Sequence, residues 1–567
     1  MKRVISILLT TAMILSLAGC SKTEETKKKK KKTKKTTSTE ITETEDPETE
    51  TDVPTDTDET ETDPTTVPAV PDTITLNHDL EVLEFNHNIV RNDYAEMTDK
   101  FPYELFWVCS HCDQYQLVTP GYDNLAMFLD DLAIVMKDDS DEYYEEYLRQ
   151  FDTYIDTATE DDVWSFTDHY RHNQLTIFRA DEKVMSFYRK TTTCDNGYYD
   201  DYEYYNLDPK TGKVLELGDI VTDFNAFADA VEEYETTHFY AYTPSGLFTA
   251  MADHLRKGEL DQLEFSINQN CLILHMDFES PVYGEMDEYT CYVSALAHMD
   301  CIDPEYFINT PAQYTLTPDS ANEIYWDFDE DGSIDKFVVD YDENLTTNDF
   351  PEFNLAISIN DEPYAIGDYK DDIEGCYDLG NMYLMSVNGQ YCFYIEGMID
   401  DPTDPYFFFR MNGKSFDYFG YTDQIAWYPY EPDNLEIQIR GEILGTGSFT
   451  KPSSLCAAGA IGIPVNNGSF FYKTGVGLTT EKMKLGLFTE DGQPTDQSIT
   501  IPAGTPVRLE GIDIDKELAY FTTLHRDASE NESFQMVLTC DEQYEYYDVT
   551  FNGKGNYELF KGSHYYD

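Results

Sequence analysis

Apolar residues recur three and four apart through DEYYEEYLRQFDTYI (141–155), which places Tyr144, Tyr147, Leu148, Phe151, Tyr154 and Ile155 along one side of a helix. DFNAFADAVEEY (223–234) repeats the spacing with Phe224, Phe227, Ala228 and Val231, and Asp223 stands where an N-cap belongs. Elsewhere the texture is that of strands. KVMSFYRK (183–190) and YYDDYEYYNL (198–207) have strand composition. LDPKTGKVL (207–215) reads as a hairpin turn, with Pro209 presetting one backbone angle and Gly212 tolerating the left-handed one. LEFSINQNCLILHMDF (263–278) reads as a second hairpin around Asn268–Asn270. Short strands continue in FNLAISIND, NMYLMSVNGQYCFYIEG and PYFFFRMNG, and ITIPAGTPVRLEGIDIDKELAYFTT (499–523) adds strands and tight turns. The pattern predicts an α+β class, β-rich and multi-domain. Its parts are an α+β antiparallel-sheet domain at 74–312, a β-sheet domain at 313–440 and a C-terminal β domain at 441–567. The last is expected to be a small barrel or sandwich, an SH3-like barrel being one form of it.

The first 73 residues follow other rules. MKRVISILLTTAMILSLAGC opens on Lys2 and Arg3 and continues with an apolar run from Val4 to Leu17. That run is short of the roughly 20 residues a spanning helix needs and fits a signal peptide over 1–19. Its end, Leu17-Ala18-Gly19-Cys20, resembles the bacterial lipobox. The resemblance implies cleavage before Cys20 and acylation of its thiol, with the lipid as the membrane partner. Residues 20–73 then carry a lysine run from Lys27 to Lys35 and a Thr/Glu/Asp/Pro tract. The tract cannot bury a core and is expected to be a tether with a coil span of roughly 40 Å. No later stretch is apolar enough to span a bilayer. The expected location is therefore the extracellular face of the cell membrane.

Composition sharpens this. The net charge is −72, which repels nucleic acid and attracts divalent cations. A hydrophobic fraction of 41% and an aromatic fraction of 14% are too high for a disordered chain.

Tyr205 through Asp219, in YYNLDPKTGKVLELGDIVTD, with VMSFYRK before it and the Leu263–Met299 segment after it, resembles the extracellular domain of RsiV-type anti-sigma factors. Many relatives of that domain have no known function, and the RsiV type senses lysozyme by binding it. The resemblance implies an extracellular binding or sensing module over about 74–312.

WDFDEDGSIDKFVV (326–339) contains DxDxDGxxD, in which Asp327, Asp329, Asp331 and Asp335 offer carboxylates and Ser333 a backbone carbonyl. Gly332 permits the bend. The bidentate glutamate of an EF-hand is replaced by Val338, and the flanks NEIYW and KFVVDYD are strand-like. The segment resembles the calcium loops of VCBS and FG-GAP repeats. That implies a structural Ca²⁺ on positions one, three, five, seven and nine, with an acidic hairpin turn lacking metal as the alternative.

Other motifs carry less. Ser448 to Lys451 matches SxxK, but Pro452 argues against the helix that chemistry needs. Cys109 and Cys112 in CSHC offer a redox dithiol, half a zinc site, a local disulfide or two thiols. His169 and His172 in DHYRH could share a helix face, with a surface pair as the ordinary reading. Ten cysteines follow Cys20, and Cys376 with Cys392 and Cys456 with Cys540 are plausible pairs. The tyrosines at 202 and 204 share a strand face that packs under a helix or stacks on glycans. The expected function is a non-enzymatic surface lipoprotein that binds a wall component, extracellular protein or glycan. Its rivals are an envelope enzyme, either a CxxC oxidoreductase or a hydrolase, and a passive structural wall protein.

Overall fold

The computed structural model describes residues 73–565 except 99, 158, 160–167, 195–197, 238–243, 280–285, 346–350, 371, 374–375, 400–403, 441–442, 446–447, 456–460, 467, 490 and 542–545. The leader, Cys20, the tether and Cys456 lie outside the described residues.

The first sheet joins β1 (Phe85–Thr98), β2 (Phe101–Leu117), β3 (Asp168–Ala180), β4 (Met185–Cys194) and β5 (Tyr198–Leu207) in chain order. Neighbours are antiparallel except β2 and β3, which run parallel. A parallel pair needs a long return path, and helix α1 (Asp123–Thr157) provides it. Its apolar stripe begins well before residue 141. Leu125, Leu129, Leu132 and Met136 pack with Cys112 and Phe187, while Tyr147 and Phe151 pack with Phe106 and Val108.

The turn at 207–215 forms as its residues dictate. Asp208 accepts from the amides of Lys210 and Thr211, and Gly212 has φ +66°. Helix α2 (Phe224–Thr237) is capped by Asp223, whose carboxylate accepts from Asn225 and Ala226. Helix α3 (Leu247–Lys257) lies against it. Then come β6 (Glu264–Ile267), β7 (Cys271–Glu279) and β8 (Met286–Ser294), a three-stranded antiparallel sheet.

Nine strands follow in the second large sheet. They are β9 (Gln313–Leu316), β10 (Glu323–Trp326), β11 (Asp335–Leu345), β12 (Pro351–Ile359), β13 (Glu362–Ile366), β14 (Asp378–Val387), β15 (Gln390–Met398), β16 (Tyr406–Asn412) and β17 (Ser415–Thr422). Their spatial order is β10-β11-β12-β13-β17-β16-β15-β14-β9. A further nine-stranded sheet is built between Leu435 and Tyr565, beside a two-stranded ribbon of Met483–Phe488 and Pro494–Ile501.

Two large apolar clusters bridge successive sheets. One cluster joins Phe227, Phe248 and Leu272 to Trp326, Phe337 and Phe407. Another joins Tyr394 and Phe408 to Leu509, Phe521 and Phe534. The expectation of an α+β class is corrected. The described residues hold 28 strands against four α-helices, and the fold is β-rich. Helical spacing was legible at 141–155 and 223–234, but those helices cover sheet faces and do not set the class.

Candidate functional site

Two polar constellations stand out, one anticipated by the chain and one not. The anticipated one is the loop joining β10 to β11, where Trp326 and Asp335 are the last cross-strand pair. The loop therefore caps a β-hairpin. Carboxylate oxygens of Asp327, Asp329 and Asp335 lie within 4.8 Å of one another. Asp327 is buried, and its two oxygens accept from the amides of Asp331 at 3.0 Å and Gly332 at 2.9 Å. Asp335 accepts from the Phe328 amide at 3.0 Å and from Asn360 Nδ2 at 2.6 Å. Burial raises the Asp327 carboxyl above its ordinary range against the pull of those two amides, and Asp331 and Asp329 add to the rise. A carboxylate oxygen with one donor keeps a lone pair for a cation, so three hard oxygens from positions one, three and nine fit calcium. Asp331 is not in this group of three, and its Oδ1 accepts from the Ser333 amide at 2.8 Å. Gly332 has φ +89°, and a Cβ there would stand 3.1 Å from the Ile74 carbonyl oxygen. The Ile74 amide bonds back to Gly332 O at 2.9 Å, tying the loop to the start of the folded region.

The second constellation lies on the face of the first sheet turned away from α1. Alternation puts Cys109, His111, Asp113 and Tyr115 on that face of β2. Register sets Asp93 opposite Cys109, Arg91 opposite His111 and His87 opposite Tyr115 on β1, and His172 beside His111 on β3. His87 Nε2 lies 3.4 Å and His172 Nε2 3.9 Å from Asp113 Oδ1. The rings of His172 and His111 meet edge-on with centroids 5.9 Å apart, and His111 Nε2 lies 3.0 Å from Asp93 Oδ1. Asp93 also pairs with Arg508, which bonds to Glu510 at 2.7 Å, and Glu510 pairs with Arg91 at 3.0 Å. Arg508 and Glu510 come from the strand Pro506–Asp513.

The electrostatics of this line follow from burial. Burial opposes the charge on Asp93, yet Arg508, with His111 and Arg91, holds its carboxyl well below the usual range. Burial likewise opposes the charge on Asp113, and His172 and His87 overcome it. Burial pushes His111 down to about 4 against the pull of Asp93, so it stays neutral at neutral pH. Burial also lowers His87, but Asp113 and Glu436 more than offset it, and its net shift is upward.

His87 and Tyr115 stack with ring centroids 4.4 Å apart and together form one wall of a cavity of about 120 Å³. The opposite wall is the WYPYEP segment at 427–432 and the strand that follows it. Prolines keep that segment out of a ladder. It is held instead by the Thr315 hydroxyl, which donates to Pro429 O, and by Tyr428, whose hydroxyl meets Thr317 Oγ1 at 3.1 Å. Trp427 Nε1 donates to Glu436 Oε2 at 2.8 Å. A run of aromatics broken by prolines and followed by acids was the sequence signal for this wall.

Among solved structures, the neighbours are DUF3298 family proteins. A crystal structure of one from Pseudomonas aeruginosa PAO1 is similar with a TM-score of 0.25 and 12% identity over 40% of this chain and 97% of that chain. Another, from Bacteroides fragilis NCTC 9343, has a TM-score of 0.27 and 8% identity over 40% of this chain and 97% of that chain. No family model and no curated protein matches the chain.

The remaining candidates fall elsewhere. Cys109 and Cys112 sit three apart on β2 and so face opposite sides of the sheet, Cys109 among Ala95, Trp107 and Leu478, Cys112 among the α1 contacts. That geometry does not join them in a local disulfide. His169 and His172 lie on β3, not on a helix, and His169 is buried with its ring stacked on Tyr147 at 4.7 Å. Ser448 to Lys451 lies in the strand Ser448–Ser454. Cys376 and Cys392 are separate buried thiols. Tyr204 stacks on His275 at 3.9 Å and donates to Glu288 at 2.7 Å, so this face packs against the three-stranded sheet.

Proposed function

We propose that the chain is a cell-surface lipoprotein anchored through acylated Cys20, whose sheet-rich body binds an extracellular ligand and carries one structural calcium ion in the 327–335 loop. The observation that carries the anchoring is the leader MKR…LAGC, followed at once by a lysine run and an acidic tract. A cleaved leader of this length delivers the chain outside the cytoplasm, and lysines beside the lipid add roughly 1 kcal/mol each on an anionic surface. The loop supports the calcium assignment, since Asp327, Asp329 and Asp335 converge while their remaining lone pairs bond to the loop's own amides. The ion's role is structural. It offsets most of the charge of three converging carboxylates and fixes a hairpin whose glycine touches the first residues of the body.

Metabolic labelling with a radioactive fatty acid tests the anchor. Label should follow the full chain into the membrane fraction and vanish in Cys20→Ser. Unlabelled chain in the cytosol with its leader intact would overturn the reading. Retention of wall fragments, soluble glycans or lysozyme by the detergent-purified chain tests the binding role.

A further inference from the structure

We propose that the cavity between the first sheet and the 427–436 segment binds a quaternary ammonium group of the choline type. Its walls are the rings of Phe85, Tyr115, Trp427 and Tyr430, and the charged groups facing it are Glu431 and Glu436. No lysine or arginine lines it among the described residues. His87, stacked on Tyr115, lines the same wall, and Asp113 at 3.4 Å from its Nε2 offsets the charge it can carry. Aromatic faces present negative charge to a ligand, and a desolvated cation over such faces is held more strongly than in water. The two glutamates add like-signed potential. Burial raises the Glu431 carboxyl above its ordinary range, with Glu84 and Asp433 adding to the rise and Asn434 opposing it. An incoming cation would relieve that cost. An anion would meet two carboxylates and an aromatic lining.

Size narrows the class. At about 120 Å³ the cavity is of the same order as the roughly 150 Å³ cavity that admits a single benzene, which suits a compact head group and not a chain of sugars. The ring-rich lining favours a methylated head, whose charge is spread over methyl groups that pack on aromatic rings, over a compact primary amine. Trp427 lines the cavity and is 41% exposed, so a ligand can reach it from solvent. The inference gives the binding role a ligand class, but the cavity is intact wherever the chain resides, so its test is separate from that of the anchor.

The test titrates the full purified chain with choline and with its neutral isostere 3,3-dimethyl-1-butanol, following tryptophan fluorescence and ligand-observed NMR. Choline should bind and the isostere should bind markedly less. Trp427→Ala should weaken choline by between about 2- and 30-fold, the range one cation–π contact supplies, and Trp427→Phe should restore part of the loss. Glu431→Gln should weaken choline without improving the isostere. Thermal unfolding of each variant shows whether it is folded, and the conclusion is drawn from those that are. Equal binding of choline and isostere, preference for ethanolamine, preference for a neutral sugar, or no choline binding by the folded wild-type chain would each overturn the assignment.

Discussion

Arg508 forms an ion pair with Asp93 across 415 positions of chain, and both side chains are largely or wholly shielded from solvent. Removing one member of such a pair strands the other. Arg508→Ala should therefore cost about 3–5 kcal/mol in urea unfolding. The paired change Arg508→Met with Asp93→Leu should come much closer to wild type, because neither charge is then left buried. A single Arg508→Ala variant within about 1 kcal/mol of wild type would mean that water or Arg91 satisfies Asp93.

That pair also marks where reading the chain stops. DxDxDGxxD announced the loop because all its donors lie within nine residues and one glycine makes the turn. Asp223 and the Pro209/Gly212 turn were legible for the same local reason. The polar line of His87, Asp93, His111, Asp113, His172 and Arg508 was not, since strand register alone brings those residues together. CSHC looked like chemistry through its spacing, yet β2 alternation sends its two thiols to opposite faces. The His169 and His172 pair misled for the mirror reason, a helical period assumed where the chain is a strand. The α+β reading overweighted two helical stretches in a chain whose tyrosines, valines and phenylalanines mostly serve sheets.

The neutral state of His111 makes stability depend on pH. Its folded pKa is about 4, below the unfolded value of about 6.5. The unfolded chain thus binds the proton more readily. The contribution is fully present above about pH 6.5 and is lost as pH falls from there through 4, on the order of 3 kcal/mol in total. Chemical unfolding at a series of pH values should show this slope, and His111→Gln should flatten it between pH 4 and 6.5. An unchanged slope in the variant would assign the acid sensitivity to other groups.

Calcium should stabilise the chain through the 327–335 loop. With an affinity near 10⁻⁴ M, typical of extracellular modules, about 1 mM calcium contributes roughly 1.4 kcal/mol. Chelation should remove it, visible as a lower Tm. Asp329→Ala should abolish both the calcium heat in calorimetry and the Tm shift. Gly332→Ala should lower the Tm with or without calcium, because φ is +89° and the new Cβ meets the Ile74 carbonyl oxygen. A calcium heat that survives Asp329→Ala would place the ion elsewhere.

The buried cysteines should be chemically silent in the folded chain. Cys112, Cys301, Cys376 and Cys392 are buried, and desolvation pushes their thiols up to about 11, 12, 11 and 12 respectively. A thiol attacks as its thiolate, so both exposure and ionisation oppose reaction. Cys392 lies on β15 opposite Met385 and Arg410, whereas Cys376 precedes β14 and packs beside Gly397. Maleimide labelling followed by peptide mapping should leave these four unmodified in the native chain and modify all of them after denaturation without reductant. A 376–392 disulfide peptide in the unreduced digest, or rapid native labelling of Cys112, would contradict this packing.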